Sequence, residues 1–473
     1  MDSNYFFTFN YQNWPLAAAL EIMLEQIENE KSVTWIDLTG RFTASHGFPL
    51  ADRLHYRITR NRIRQSGLTN KLNLNYINKF RSIDIEKDLA VRIKVTEIAS
   101  EVAYLELIAM VREAEPSRKE YRLKLRQYQK TYLKVYFATI KILEDKKVEK
   151  VYLYNGRFLQ ERAVWDACIF LGITVVFFEK FHPNWTDRYF LFEKPTHSPE
   201  YRGSVMQNFG EQFKEENPKL FSEVGSKWFE NRIIGKTQEF TSKQIANNTL
   251  RLEKPYVVFF HSSEDELITT NLVSKSWGNQ ISALLALVEA LGAENRYCLI
   301  VRAHPNLLHK SPKEIAIWRK LGKELESKYD WIRFVDSESP INSYALVKGS
   351  EFVVTVGSTL GVEAAYLRKK SILLGRALHE SMGITLNPED VSELVNFIRM
   401  DLQNPDLQLR YNRSLFYATF NEFGGTMFSR LDCKHGKRGP FYIYDNFLIQ
   451  QSLFVSILMR LDTALRKVIP LWR

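Results

Sequence analysis

The chain has 473 residues, 45% of them hydrophobic and 13% aromatic, and its 65 Lys and Arg outnumber 55 Asp and Glu for a net charge of +10. That length exceeds what one core organises and points to two domains, and the apolar content excludes general disorder. Three scattered cysteines, Cys168, Cys298 and Cys433, exclude a disulfide framework or a Cys-based zinc site and fit a reducing compartment.

The opening "MDSNYFFTFNYQNWP" lacks a basic leader followed by an apolar stretch, so no signal peptide is expected. "NYFFTF" predicts a strand. "PLAAALEIMLEQIENE" predicts a helix, with Pro15 suited to its first position, and "SVTWIDL" a second strand. Residues 86–146, rich in Glu, Lys, Leu and Ala, predict long helices. Then "VEKVYLYN" (148–155), "RFLQERAVWDACIFLG" and "ITVVFFE" (173–179) read strand, helix, strand. Joints this short imply parallel pairing through a right-handed crossover. From 190 to 254 the pattern is weaker and more polar, and the connection between domains is expected there.

Alternation resumes at "YVVFF" (256–260), with a helix around 279–292, "RYCLIV", a helix near 312–328 and "WIRFV". After the short "SYALVKG" come "EFVVTV", the helix "TLGVEAAYLR" and "SILLG". Apolar runs separated by helices predict a doubly wound parallel sheet. The expected organisation is a Rossmann-like domain over 1–195, a connection over 196–254, a second Rossmann-like domain over 255–428 and a basic tail over 429–473. In that tail Phe447, Phe454, Leu458, Leu461, Leu465 and Val468 share one helical face, with Arg460, Arg466 and Lys467 among them. This predicts a helix that either packs on the fold or rests on an anionic bilayer. No stretch offers the roughly 18 to 20 uncharged apolar residues of a membrane span. The basic surplus lacks zinc-finger spacing or an RRM-type motif, so no nucleic-acid partner is expected.

Ligands of open parallel sheets bind beyond the carboxyl ends of the strands. "LIVRAHPN" (299–306) places Arg302, His304 and Asn306 at such an end. "HSSEDE" (261–266) brings Ser262 and Ser263 to another, and "GSTLGVEAA" (357–365) a third. Gly357 permits close backbone approach, the Ser358 and Thr359 hydroxyls suit a phosphate oxygen, and Glu363 is a candidate acceptor for ribose or sugar hydroxyls. The alternative is that Ser358 or Thr359 is a helix cap and Glu363 a solvated helix residue. In the first half Asn155 and Gly156 end a strand and Arg157, with Arg162 nearby, suits an anionic or hydroxylated acceptor. Glu179, Asp166 and His197 are the candidate bases for an acceptor hydroxyl. No Asp-x-Asp signature marks a metal site, and "EDE" (264–266) reads as a helix start.

"RAHPN" followed by "FVDSESPINSYALVKGSEFVVTVGSTLGVEAAYLRKKSILLG" resembles the C-terminal half of bacterial capsule and surface-polysaccharide biosynthesis glycosyltransferases. "YNGRFLQERAVWDACIFLGITVVFFE" resembles the Asn-Gly-Arg segment of the same proteins. The resemblance implies an α/β chain of the GT-B fold, two Rossmann-like domains with a cleft between them. It implies a metal-independent transferase with no cofactor, taking a nucleotide-sugar such as CMP-Kdo or a UDP-sugar as donor and a glycan or lipid-linked acceptor. His304 with Pro305, and Ser358 with Thr359, match positions where relatives contact donor phosphate. Related polymerases use CDP-glycerol, but "GSTLG" lacks their Ser-Ser pair, which favours a sugar over a polyol phosphate. The implied setting is cytoplasmic, and peripheral on the inner face of the plasma membrane if the tail binds lipid. A non-catalytic scaffold in a polysaccharide assembly complex is the alternative from another class.

Overall fold

The structure is a computed structural model and describes residues 3–9, 13–38, 49–72, 75–77, 89–180, 186–235, 254–436, 439–445 and 447–450. It divides into two compact units, one of Met1–Met110, Pro116–Thr196 and Gly425–Arg473, the other of Val111–Glu115 and His197–Gly424.

The first unit begins β1 (Ser3–Thr8), α1 (Asn13–Glu28), β2 (Ser32–Asp37), α2 (Pro49–Ser66), α3 (Leu68–Lys71) and β3 (Asn75–Ile77). It continues with α4 (Leu89–Val111), α5 (Arg122–Leu143), β4 (Val148–Tyr154), α6 (Leu159–Leu171), β5 (Val175–Glu179) and β6 (Arg188–Phe192). β3, β2, β1, β4 and β5 lie side by side in that order, all parallel, with β6 antiparallel on β5. Every residue of β1 and β5 is buried, as a parallel strand covered on both faces requires. Phe6 stacks on Tyr152 with ring centroids 4.5 Å apart, over the buried run Leu16–Leu20 of α1.

The second unit opens with α7 (Pro199–Glu216) and α8 (Pro218–Ile233), inside the stretch read from sequence as a connection. Their polar surfaces hide glycine notches. A Cβ on Gly210 would lie 2.4 Å from Phe416 and one on Gly225 2.9 Å from Leu415, so both helices press against a later helix. Then follow β7 (Tyr256–Phe260), α9 (Glu264–Thr269), α10 (Gln280–Glu294), β8 (Cys298–Arg302), α11 (Pro312–Lys328), β9 (Ile332–Val335) and α12 (Ser343–Gly349). Next come β10 (Phe352–Thr355), α13 (Leu360–Tyr366), β11 (Lys370–Leu373), α14 (Val391–Arg399) and α15 (Asn404–Phe423), which carries Leu415 and Phe416. Helix starts obey local chemistry: Asn279, Ser311, Asn342 and Asp390 each accept a backbone N–H in the first turn of α10, α11, α12 and α14.

The second sheet runs β9, β8, β7, β10, β11, wholly parallel. This repeats the order of the first unit's parallel strands. Strand order therefore reverses between β1 and β4 in one unit and between β7 and β10 in the other, the points where loops part and ligands bind in such sheets.

After α15 the chain returns to the first unit. β12 (Thr426–Met427) pairs with β6, and β13 (Asp432–Gly436), β14 (Gly439–Tyr444) and β15 (Phe447–Ile449) form an antiparallel sheet. Phe447 and Ile449 are buried in the first unit's core beside Tyr442, so Phe447–Ile449 is a strand where the periodicity predicted helix. The rest of the predicted tail helix, 451–469, lies outside the described residues. Among the described residues no helix is long and apolar enough to cross a membrane.

Candidate active site

In the second unit Phe260 of β7 pairs with Arg302 of β8, so His261 and His304 leave the sheet as neighbours. His261 N–H donates to the Arg302 carbonyl at 3.1 Å, and His304 N–H donates to His261 Nδ1 at 3.2 Å. His304 is extended, with φ −65° and ψ 136°, as a residue before proline must be, and Pro305–His309 then form a 3₁₀ turn. Within that turn Asn306 N–H donates to His304 Nδ1 at 3.0 Å, while the Asn306 side chain is exposed.

A ring nitrogen that accepts a hydrogen bond carries no proton, so both imidazoles hold theirs on Nε2 when neutral. Both are neutral at physiological pH. Burial is the main cause that pushes His304 down to about 4, with Lys310 and Arg302 adding to it and Glu266 opposing. Burial first, then His304 and Lys310, hold His261 well below the ordinary imidazole value of 6.5. The His261 ring packs 4.1 Å from Trp318, which fixes its plane. The pair is thus two N–H donors without a net charge.

The loop after β7 is clamped from below. Gln280 Oε1 accepts Ser262 N–H at 2.6 Å and its Nε2 donates to the Ser262 carbonyl at 3.2 Å. Lys310 Nζ, 4% exposed, donates to both Asp265 oxygens at 2.7 and 2.9 Å. Ser263 is buried, and its carbonyl accepts the N–H groups of Glu266 and Leu267.

The loop after β10 enters through Gly357, whose φ of +102° suits glycine, and where a Cβ would lie 2.9 Å from both the Arg376 carbonyl and Leu267. Ser358 Oγ accepts Leu360 N–H at 3.2 Å and keeps its own hydrogen to donate. Since β7 lies between β8 and β10, the His304 and Ser358 strand ends are two strand spacings, about 10 Å, apart, with His261 at the strand between.

Two sequence expectations in this unit change. Arg302 is 1% exposed, and its guanidinium donates to the carbonyls of Asp336, Ser339 at 3.3 Å and Ile341 at 3.5 Å, so it holds the loop after β9 instead of facing a ligand. Glu363 is not a solvated acceptor for sugar hydroxyls. Its carboxylate is 1% exposed and paired with Arg232 of α8 at 2.9 Å, with the Thr359 hydroxyl donating at 3.5 Å.

In the first unit Asn155 adopts φ 56° and Gly156 φ 83°, where a Cβ would lie 2.3 Å from the Phe177 ring. This turn aims Asn155 Nδ2 at Glu179 Oε2, while Asn155 Oδ1 accepts Arg157 N–H at 3.3 Å. Glu179 Oε1 accepts Lys180 N–H at 2.8 Å. Burial, then Glu179 and Glu161, push the Tyr154 hydroxyl up, so it stays protonated nearby. The Arg157 side chain is exposed and lies 5.0 Å over the Phe158 ring. Asp166, by contrast, receives Arg162 Nε at 2.9 Å on both oxygens and the buried Tyr132 hydroxyl, which makes it a helix-to-helix tie and removes it as a base. His197 stands at the start of the second unit, just before α7.

Sequence alone does not single out His261, Gln280, Lys310 or Arg232. His261 carried a signal, being the first residue past a buried strand. The other three sit inside helices or a turn, where nothing local marks them. Among the described residues no group of three or more His, Cys, Asp or Glu is arranged to hold a metal ion.

Residues 194–413 match the family described as capsule polysaccharide biosynthesis protein. The matched part takes in most of the second unit, including the paired histidines and the loop at 357–359. No curated protein matches the chain. Among solved structures, the Thermosulfurimonas dismutans KpsC β-Kdo 2,4 transferase is similar at 14% identity and TM-score 0.34, over 66% of this chain and 88% of that one. The β-Kdo 2,7 transferase of the same KpsC is similar at 13% identity and TM-score 0.37, over 71% and 96%. A Methanocaldococcus jannaschii UDP-GlcNAc 2-epimerase in complex with UDP-GlcNAc and UDP is similar at 13% identity and TM-score 0.29, over 88% and 100%.

Proposed function

We propose that this chain is a glycosyltransferase that moves a sugar from a nucleotide-activated donor to a surface or capsular polysaccharide or its lipid-linked precursor, without a metal ion, on the cytoplasmic side. The observation that carries the reading is the pair His261 and His304, each with Nδ1 tied to a backbone N–H, within the region that matches the capsule biosynthesis family. The donor phosphate is met by the two Nε2–H groups and the Ser358 hydroxyl. As the bond from the anomeric carbon to the phosphate oxygen breaks, charge gathers on that oxygen and these hydrogen bonds strengthen, which is how a fixed donor lowers a barrier. The acceptor hydroxyl forms the new bond and gives its proton to Glu179, which Asn155 holds in place.

A thermal-shift series against CMP-Kdo, UDP-sugars, GDP-sugars and CDP-glycerol tests the reading. A saturating donor at 100 times its Kd stabilises by about 2.7 kcal/mol. Saturation by CMP-Kdo or a UDP-sugar, with sugar transfer to an oligosaccharide acceptor, is the expected result. Saturation by CDP-glycerol alone reassigns the chain to polyol-phosphate transfer. No response to any nucleotide replaces the enzyme with a scaffold.

A further inference from the structure

Helix α5 carries Arg122, Lys124, Arg126, Lys130, Lys134 and Lys141 and no Asp or Glu. At about 100° per residue, Arg122, Arg126, Lys130, Lys134 and Lys141 fall within an arc of about 120°. All five are exposed, and none has a carboxylate partner among the described residues. Tyr128, Tyr132, Val135, Tyr136, Thr139 and Leu143 occupy the opposite arc and are buried. The basic stripe is therefore the outer face of a docked helix about 33 Å long.

The same arc holds apolar side chains. Leu123 is 77% exposed, and the half-buried Leu133, Phe137 and Ile140 alternate with the cations. A polyanionic glycan offers such residues nothing. An anionic bilayer offers phosphates to the cations and a shallow apolar layer to the rest. We infer that the outer face of α5 is a docking surface for an anionic lipid bilayer. The inference does not depend on which donor is used, nor on the tail.

Flotation of the full chain with phosphatidylcholine vesicles, with and without phosphatidylglycerol, tests it. The wild type is expected to float only with phosphatidylglycerol, and less as salt rises. Combining Arg126→Gln, Lys130→Gln and Lys134→Gln is expected to lower partitioning on the order of 100-fold, with melting temperature and nucleotide response unchanged. Leu123→Ser is expected to lower it roughly tenfold by a salt-independent route. Neutralising three exposed lysines of α11, by Lys320→Gln, Lys323→Gln and Lys328→Gln, is expected to change nothing. Equal losses in the two triple variants would reduce the stripe to general charge. A wild type that ignores phosphatidylglycerol vesicles, or an α5 triple variant that floats like the wild type, overturns the inference.

Discussion

At the end of β4 a carboxamide, Asn155, grips a carboxylate, Glu179, and the turn around them exposes Arg157. At the ends of β7 and β8 one imidazole holds the backbone of another, and both are stripped of charge by burial. The strands behind these two clusters follow the same parallel order, so topology chose the place in each unit and the side chains chose the chemistry. One cluster presents lone pairs, the other N–H groups. Acid–base work on an acceptor and stabilisation of a leaving group need those opposite endowments, which is why the division of labour proposed above assigns them as it does.

The contrast extends to one ion pair in each unit, and there the largest effect is expected. Arg232–Glu363 in the second unit is 6% and 1% exposed, whereas Arg162–Asp166 in the first is 36% and 10% exposed. Arg232→Ala strands a buried carboxylate and should cost about 3–5 kcal/mol in urea unfolding. Arg162→Ala loses a half-wet pair and should cost about 1 kcal/mol or less. Similar losses from both would erase the distinction.

Next comes the donor side. His304→Ala should lower turnover on the order of 10²-fold or more, the scale of one aimed donor lost. A folded variant with wild-type turnover would leave His304 as a strand-end cap. The pH dependence sharpens the point. His304 is held near 4 in the folded chain against 6.5 for a free imidazole. The unfolded chain thus takes up a proton that the folded chain refuses, and stability should fall as pH drops from about 6.5 towards 4. Above that window the contribution is complete, and His304→Ala should flatten part of the fall. His261 and His379, both held below the ordinary imidazole value chiefly by burial, will keep the rest.

The smallest effect belongs to the exposed member of the first cluster. Arg157→Ala should raise the acceptor KM about tenfold, the worth of one hydrogen bond to a charged group, with nucleotide affinity unchanged. Kinetics at saturating donor check this. A loss of nucleotide binding instead would move Arg157 to the donor side and undo the comparison.

Much of the fold is written locally. Continuous apolar runs such as "YVVFF" and "EFVVTV" can only be strands covered on both faces, and the joints between strand and helix are too short for antiparallel pairing. The same reasoning placed His304, Ser358, Asn155 and Glu179 at strand ends, where they are found. It failed for α7 and α8, whose fit depends on glycines meeting Phe416 and Leu415 some 190 residues or more further on. It failed again for Phe447–Ile449, where burial against the first unit's core overrode a helical spacing.

By itself the sequence determined most of the strands and helices, the parallel pairing of the continuous apolar strands, and which residues stand at their carboxyl ends. Those follow from periodicity, chain length between elements and the rigidity of Pro305, all properties of neighbours in the chain. The tertiary structure alone decided which of those residues remain available. Arg302 is spent on carbonyls after β9, Glu363 on Arg232 and Asp166 on Arg162 and Tyr132. Burial at the strand ends turned two histidines into neutral donors. A polar group's role depends on which partners fold against it and how much water they exclude, and residues distant in sequence set both.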